Sequence, residues 1–185
     1  MRNFQQIASG VDVVPLLLDL RRQPQLWNQH RARTAGGIGP HGAADDIWVR
    51  FRDQTDLTTK MSYATPHTPV FYPAWAALPA LRPLVFSLMA RVSAVQLGGI
   101  LITRVPPGAQ IAPHDDRGRW HAEFFNTKAY VPLMSNPACR STCGDETVVM
   151  AAGEVWTFDN LTEHATINDG LDDRITLIVC MRCEP

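Results

Sequence analysis

The sequence predicts a mainly β fold with helices in its N-terminal part. The chain has 185 residues, which is enough for one domain with a sizeable core. Apolar residues recur with a helical period in a segment of the first half. In the second half, short runs of β-branched and aromatic residues are separated by Gly, Pro, Asn and Asp, with no helical pattern between them. This arrangement is typical of an antiparallel sandwich or barrel.

Composition and charge exclude several functional classes. Hydrophobic residues make up 45% of the chain and charged residues 19%, which is typical of a globular protein. The net charge of −1 gives no sign of a nucleic-acid or membrane partner. Pro15 and Asp19 interrupt the one early apolar run, so it predicts neither a secretion signal nor a membrane span. We therefore expect a cytoplasmic protein.

Individual elements follow from local patterns. A helix is expected from about Pro15 to Arg22, because proline fits the first helical turn. The clearest helix runs from Leu81 to about Val92, where apolar residues recur at i, i+3, i+4 and i+7. We expect a single domain in which residues 1–94 form a helical or irregular support and residues 95–185 form the β core. Strands are expected at Asp45–Phe51, Val95–Val105, Lys128–Leu133, Thr147–Met150, Glu154–Phe158 and Arg174–Met181.

Polar residues with metal-binding chemistry lie next to these strands. His114 and Asp116 form an H-x-D pair, and residues i and i+2 of an extended chain point to the same side. His164 lies 48 residues after Asp116 (164 − 116), behind another strand and a turn. Two histidines and one carboxylate form the facial triad of non-haem iron(II) oxygenases, which leaves open positions on the metal.

Arg174 opens an otherwise apolar strand, "RITLIVCM". A buried arginine needs an anionic partner, because an unpaired buried charge is very costly. The partner is either a neighbouring carboxylate, such as Asp172 or Asp173, or the carboxylate of a ligand held in bidentate fashion. An arginine at this position after the second histidine suits the anchoring of a 2-oxoglutarate cosubstrate.

Four cysteines have spacings that resemble a zinc site. Cys139 and Cys143 form C-x3-C, and Cys180 and Cys183 form C-x2-C. The first pair falls in a Ser/Asn/Gly-rich segment that we expect to be a loop, and Cys180 falls at the end of a strand. We therefore favour reduced thiols of a cytoplasmic protein over a zinc site.

With these motifs in place, the second half of the chain resembles the aspartyl/asparaginyl β-hydroxylase family of iron(II)- and 2-oxoglutarate-dependent oxygenases. The resemblance implies a double-stranded β-helix, a cupin-like jelly roll. A looser likeness extends to "YPAWAALPALRPLV" (72–85). The stretches that carry the resemblance are "PPGAQIAPHDD" (106–116), "TKAYVPL" (127–133), "GEVWTFDNLTEHATIND" (153–169) and "RITLIV" (174–179).

The resemblance also implies roles for individual residues. His114 and His164 would bind the metal, and Asp116 would complete a triad as in the free-amino-acid hydroxylases of the wider family. Arg174 would bind the far carboxylate of 2-oxoglutarate. Lys128 and Tyr130 stand where many members have arginine and histidine, and we place both in the cosubstrate pocket.

Several further residues are candidates for substrate binding or for structure. A loop histidine, His121, with its neighbours Arg117, Arg119 and Trp120, either lies exposed or borders the metal and binds the substrate. A pair of arginines there would suit a substrate carboxylate. We expect His41 and His67 on the surface, and Trp156 and Phe158 in the core.

The resulting expectation is a dioxygenase that uses Fe(II), 2-oxoglutarate and O2 to hydroxylate an unactivated C–H bond, releasing succinate and CO2. Its substrate would be a free amino acid or an Asp or Asn residue of a peptide. One alternative is a non-catalytic cupin-like protein that binds a metal or a small acid, and another is a zinc hydrolase on a jelly roll. Turnover of the cosubstrate distinguishes the oxygenase from both alternatives.

Overall fold

Two antiparallel sheets form the body of the protein. The computed structural model describes residues 3–34, 39–56 and 64–184. Its strands are β1 (Phe4–Ala8), β2 (Asp45–Phe51), β3 (Val70–Phe71), β4 (Ala94–Val105), β5 (Gln110–His114), β6 (Thr127–Met134), β7 (Cys139–Cys143), β8 (Glu146–Val148), β9 (Val155–Phe158), β10 (His164–Asn168) and β11 (Arg174–Cys183). Its α-helices are α1 (Val14–Arg22), α2 (Ala74–Ala77), α3 (Leu81–Arg91) and α4 (Trp120–Phe124).

The strand order is that of a double-stranded β-helix. The large sheet has the order β1-β9-β6-β11-β4-β2-β3, and the small sheet has the order β5-β10-β7-β8. From β4 to β11 the chain therefore passes back and forth between the sheets, as in a jelly roll. The expected fold is confirmed. None of the helices in the described part of the chain is long and apolar enough to span a membrane.

The alternation of side chains along the large sheet separates the hydrophobic core from the space between the sheets. On β11, Leu177 and Val179 belong to the main core cluster, whereas Arg174, Thr176 and Ile178 line a cavity. Strand β6 follows the same rule over its first half, with Ala129 and Val131 in the core and Lys128 and Tyr130 toward the cavity. One face of each strand thus stabilises the fold, while the other supplies the side chains of a site.

Helices α1 and α3 cover the outer face of the large sheet. Leu16 and Leu20 of α1, and Leu81, Val85 and Leu88 of α3, are buried in the main core cluster. The spacing of the α3 residues is the i, i+4, i+7 pattern from which the helix was predicted. Burial of each such side chain contributes about 1.5–3 kcal/mol relative to exposure.

The first 94 residues contribute strands as well as helices. β1 pairs with β9 at one edge of the large sheet, and β2 pairs with β4 near the other. β2 was expected from its sequence, but β1 was not, because "FQQIA" has a single strongly buried residue, Phe4. The N-terminal part therefore contributes strands near both edges of the large sheet, in addition to the helices that pack on its outer face.

The segment around Cys139 and Cys143 is a strand, β7, and not the loop expected from its composition. Both thiols are buried, and all four cysteines of the chain are free. The alternating burial of "CRSTC" explains the strand, because small polar side chains face inward next to Arg174 in the described structure. The Cys139 thiol donates a hydrogen bond to the Asn168 side-chain oxygen at 3.1 Å.

Candidate metal centre

Two predicted ligands meet across the small sheet. His114 ends β5 and His164 begins β10, and the two residues are direct partners in the antiparallel pairing. Their ring centroids lie 4.3 Å apart. Asp116 follows two residues after His114, and the nitrogen and oxygen donor atoms of these three residues lie within 4.8 Å of one another. Among the described residues, this is the one group of three or more His, Cys, Asp or Glu side chains close enough to hold an ion.

Backbone carbonyl groups orient both imidazoles. The Nδ1 of His114 lies 2.8 Å from the carbonyl oxygen of Ala112, and the Nδ1 of His164 lies 2.9 Å from that of Thr162. A carbonyl oxygen only accepts, so each Nδ1 carries the proton and donates it. The Nε2 atoms then keep their lone pairs for a metal, as in many metal sites where the second ring nitrogen is fixed by hydrogen bonding.

The carboxylate of Asp116 is buried among cationic and amide donors. Its Oδ2 accepts hydrogen bonds from Lys128 Nζ at 2.6 Å and from Asn160 Nδ2 at 3.2 Å, and Oδ1 lies 3.2 Å from a guanidinium nitrogen of Arg119. Burial opposes ionisation, but the charges of Lys128 and Arg119 outweigh it and hold the pKa of Asp116 well below its ordinary value. The backbone N–H of Asp116 also donates to the Asn160 carbonyl oxygen at 3.0 Å. Asp116 is therefore ionised and fixed.

The two histidines are neutral at neutral pH. Burial lowers the pKa of His164 to about 4, although its hydrogen bond to Thr162 opposes the shift. Burial also lowers the pKa of His114. Metal binding requires neutral imidazoles and an ionised carboxylate, and this cluster provides both without protons having to be displaced.

The cluster lies in a cavity of about 700 Å³ between the two sheets. Arg174 is on its wall, 5% exposed, and its guanidinium lies 3.4 Å from the Ser141 hydroxyl. Within the described part of the chain it has no carboxylate partner, since Asp173 pairs with Arg104 instead at 3.8 Å. The neighbouring Thr176 hydroxyl is buried and lacks a hydrogen-bond partner among the described residues. Both groups are available to an anionic ligand in the cavity.

Lys128 and Tyr130 face the same cavity from β6. Lys128 is committed to Asp116, as described above, and Tyr130 stacks on Phe158 with ring centroids 4.4 Å apart. Phe158 also contacts His164 at 5.1 Å. Phe158 thus packs against a core cluster, as expected, and also lines the cavity. Trp156 does lie in a core cluster, against Phe4.

Four residues predicted as substrate contacts occupy different places. Arg117, Arg119 and His121 line the cavity, whereas Trp120 stacks on Phe124 at 4.6 Å and packs on His67 at 5.0 Å beside it. The exposed Arg117 donates through Nε to the Leu161 carbonyl oxygen at 2.7 Å.

His121 is not the loop histidine that the sequence suggested, because it lies on α4 and is half-buried. Its Nε2 accepts a hydrogen bond from the Gly99 N–H at 3.3 Å. A side-chain carbon at position 99 would lie 2.9 Å from that nitrogen, so any other residue there would require the His121 ring to shift. Burial and the nearby charge of Lys128 lower the pKa of His121 to about 3. The stacked ring of His67 lies 5.4 Å away.

His41 was expected on the surface, but it lies inside the cavity. His41 is 9% exposed, lines the cavity, and packs on the ring of His114 with centroids 5.0 Å apart. A hydrogen bond from the Ala112 N–H to the Pro40 carbonyl oxygen at 2.9 Å holds its loop against β5. No local signal in the sequence indicates this contact, because it joins segments far apart in the chain.

Fold and site together define a jelly-roll protein with a two-histidine, one-carboxylate centre beside an arginine-bearing cavity. Residues 70–183 match the family described as Aspartyl/Asparaginyl beta-hydroxylase, which is more than half of the chain. The chain belongs to this family. Comparison with curated proteins finds no match.

Solved structures share the fold at low sequence identity. The α-ketoglutarate-dependent epimerase SnoN from nogalamycin biosynthesis has a TM-score of 0.62 and 14% identity over 98% of this chain and 78% of its own. A Pseudomonas putida prolyl-4-hydroxylase has a TM-score of 0.56 and 17% identity over 100% and 95%. A 2OG-Fe(II) oxygenase-family oxidoreductase from Burkholderia pseudomallei has a TM-score of 0.54 and 10% identity over 75% and 67%. At these identities the likeness concerns the fold alone.

Proposed function

We propose that the protein is an Fe(II)- and 2-oxoglutarate-dependent dioxygenase that hydroxylates an unactivated C–H bond of an amino acid, or of an Asp or Asn residue in a peptide. The reaction would consume O2 and release succinate and CO2. The observation that carries the proposal is Arg174, a buried guanidinium without a carboxylate partner among the described residues, on the wall of the cavity that holds His114, Asp116 and His164.

The donor set suits iron(II). Two neutral imidazole nitrogens and one ionised carboxylate oxygen are the ligands of non-haem iron(II) oxygenases, and three protein ligands leave room for a chelating cosubstrate and for O2. Zinc accepts similar donors, but a zinc hydrolase has no need of an arginine deep in the same cavity. The presence of Arg174 in the same cavity as this triad therefore favours the oxygenase over the hydrolase.

The same cavity wall suits 2-oxoglutarate. Arg174 would bind the far carboxylate through its planar fork, with the hydroxyl groups of Ser141 and Thr176 as further donors. Tyr130 and Lys128 lie on the neighbouring strand and would border the end of the cosubstrate that approaches the metal. Iron(II) with 2-oxoglutarate would supply the oxidising power, coupling activation of O2 to decarboxylation of the cosubstrate.

The protein's own residues orient the partners and limit access of water. The hydrogen bonds of His114 and His164 to backbone carbonyls fix the two ligand rings, and Asn160 holds Asp116. The apolar and aromatic side chains of Leu101, Phe158 and Ile178 line the same cavity. Such positioning contributes a large share of the rate enhancement when a reactive group must meet one particular C–H bond.

The substrate class is proposed from the family and from the charge of the cavity. The family description names aspartyl and asparaginyl side chains, and one structural neighbour is a prolyl-4-hydroxylase. Arg117 and Arg119 line the cavity near the triad, and Asp116 is the one carboxylate on its described lining. A small amino acid or peptide with a carboxylate suits these charges, and we propose a cytoplasmic enzyme without a nucleic-acid or membrane partner.

The test is anaerobic addition of iron(II) and 2-oxoglutarate to the metal-free protein. Chelation of the cosubstrate by iron(II) in the site is expected to give a visible charge-transfer band, which His164→Ala would abolish because it removes a ligand. Addition of air and candidate substrates should then release succinate. A folded, metal-loaded wild type without the band would contradict the proposal, and a band without any succinate would favour the non-catalytic binding protein.

A further inference from the structure

His41 is a buried polar side chain that the metal centre and the cosubstrate do not use. It is 9% exposed and its ring packs edge-on against that of the metal ligand His114, with an interplanar angle of 71°. The loop that carries it is held on β5 by the hydrogen bond between Pro40 and Ala112. The position of the imidazole is therefore fixed relative to the metal centre.

The ring nitrogens of His41 have no hydrogen-bond partner among the described residues, and the side chain lines the cavity. An imidazole carries at least one N–H donor in every protonation state. Buried polar groups in native proteins are nearly always hydrogen-bonded, to protein or to a molecule next to them. Because His41 lines the cavity, a molecule held there is placed to pair with its imidazole.

Two guanidinium groups accompany His41 on this part of the wall. Arg33 and Arg119 both line the cavity and lie within electrostatic range of the imidazole. Arg33 is fixed by an ion pair with the fully buried Asp46 carboxylate at 2.7 Å, made through one of its five N–H groups. Arg119 reaches over Asp116 at 3.2 Å. An imidazole N–H flanked by two cations is a donor set for a carboxylate.

We propose that His41, Arg33 and Arg119 form a subsite that binds a carboxylate of the substrate. The subsite lies beside His114, and it determines which substrates the enzyme accepts. This inference rests on the proposed function, because it assigns the substrate of that site. The carboxylate is either the α-carboxylate of a free amino acid or the side-chain carboxylate of an aspartyl residue. In both cases a neutral analogue would leave buried donors unpaired and bind weakly.

The experiment measures binding to the zinc-loaded protein with 2-oxoglutarate, which cannot turn over, by calorimetry. One arm compares the twenty L-amino acids with their methyl esters. The other compares N-acetyl-aspartate α-amide with N-acetyl-asparagine α-amide, which differ only in the side-chain carboxylate. At least one acid is expected to bind about tenfold or more tightly than its neutral partner, as for a charged hydrogen bond. The arm that shows the preference identifies the source of the carboxylate.

Variants then assign that preference to His41. His41→Ala should reduce the preference for the acid by about tenfold, and His41→Asn, which keeps a donor near the Nδ1 position, should restore part of it. His30→Ala is the matched control, because His30 packs on Trp48 and Tyr72 outside the cavity. No preference for any acid in the wild type, or an undiminished preference in His41→Ala, would overturn the subsite. The iron(II) charge-transfer band is read separately, so failure of the oxygenase assignment is distinguishable from failure of the subsite.

Discussion

The ammonium group of Lys128 lies 2.6 Å from Oδ2 of Asp116, so the candidate metal carboxylate also forms a buried ion pair. The side chains are 12% and 9% exposed. Taking both charges out of water is costly, and the pair is tolerated because Asn160 and Arg119 supply further donors to the carboxylate. Lys128 thereby ties the metal centre to β6, the strand that also carries Tyr130 of the proposed cosubstrate pocket.

Lys128→Met is expected to destabilise the metal-free protein by about 3 kcal/mol. The substitution keeps the length of the side chain but leaves Asp116 with less compensating charge, and breaking a buried pair costs about 3–5 kcal/mol. The remaining contacts of Asp116 with Arg119 and Asn160 place the expected cost at the lower end. Urea unfolding of both proteins without metal gives the difference directly.

Manganese(II) should recover part of this loss, because a divalent ion supplies the charge that the lysine no longer provides. Addition of manganese(II) should therefore raise the midpoint of urea unfolding more in Lys128→Met than in the wild type. Arg140→Met is the control, since Arg140 pairs with Asp169 on the surface and such pairs contribute about 0–1 kcal/mol. Equal losses in the two variants would show that the buried pair is not a stability determinant.

Asp116→Asn is expected to weaken metal binding by about 100-fold or more. It removes the one anionic ligand, whereas changes to residues that merely orient a ligand cost about 10–100-fold. Competition with a coloured chelator for cobalt(II) measures the affinity. Asp115→Asn is a closely matched control, because Asp115 is exposed and accepts a hydrogen bond only from the Arg117 backbone N–H at 3.0 Å within the described structure. Similar affinity in both variants would remove Asp116 from the ligand set.

Arg174→Met should weaken 2-oxoglutarate binding by roughly 30-fold to several thousand-fold, since losing one partner of a buried charge pair costs about 2–5 kcal/mol. Arg174→Lys keeps the charge without the fork and should be intermediate. Calorimetry with the manganese(II)-loaded, anaerobic protein provides the dissociation constants. Arg182→Met is the control, because it makes the same substitution on the same strand at a residue that packs over Phe124. It should leave the affinity for 2-oxoglutarate unchanged. An unchanged affinity in Arg174→Met would place the cosubstrate carboxylate elsewhere.

The sequence predicted the large sheet well and the small sheet poorly, for a physical reason. β4, β6 and β11 pack a face on the hydrophobic core, so their residues are rich in Val, Ile and Leu. β7 and β10, "CRSTC" and "HATIN", lie between the cavity and solvent and bury few apolar side chains. Their sequences therefore lack the alternation of apolar and polar residues from which strands are recognised.

The same distinction applies to the site. His114, Asp116 and His164 were predicted because their residue types and spacing carry the chemistry, and the structure brings them together. Asn160 and His41 were not, because they act through contacts between distant segments, such as the pairing of the Asp116 N–H with the Asn160 carbonyl oxygen. Residues that orient ligands or face a substrate have no fixed spacing from the ligands themselves.

Acidification should destabilise the metal-free protein through His121, whose pKa is lowered to about 3 by burial and by the charge of Lys128. In the unfolded chain this histidine has a pKa near 6.5. Between that pH and about 3, the unfolded state therefore binds a proton that the folded state does not bind. The contribution of neutral His121 to the free energy of unfolding is fully present above about pH 6.5. It is lost as the pH falls toward 3, and the total loss is about 3–5 kcal/mol. Protonation also removes the acceptor for the Gly99 N–H.

His121→Gln should therefore flatten the dependence of stability on pH across this window, because glutamine keeps an acceptor for Gly99 and does not titrate. Urea unfolding at intervals between about pH 4 and 7.5 measures the slope, and subtracting the variant from the wild type cancels the carboxyl groups that titrate in both. Parallel curves for wild type and His121→Gln would mean that His121 is protonated in the folded protein over this range.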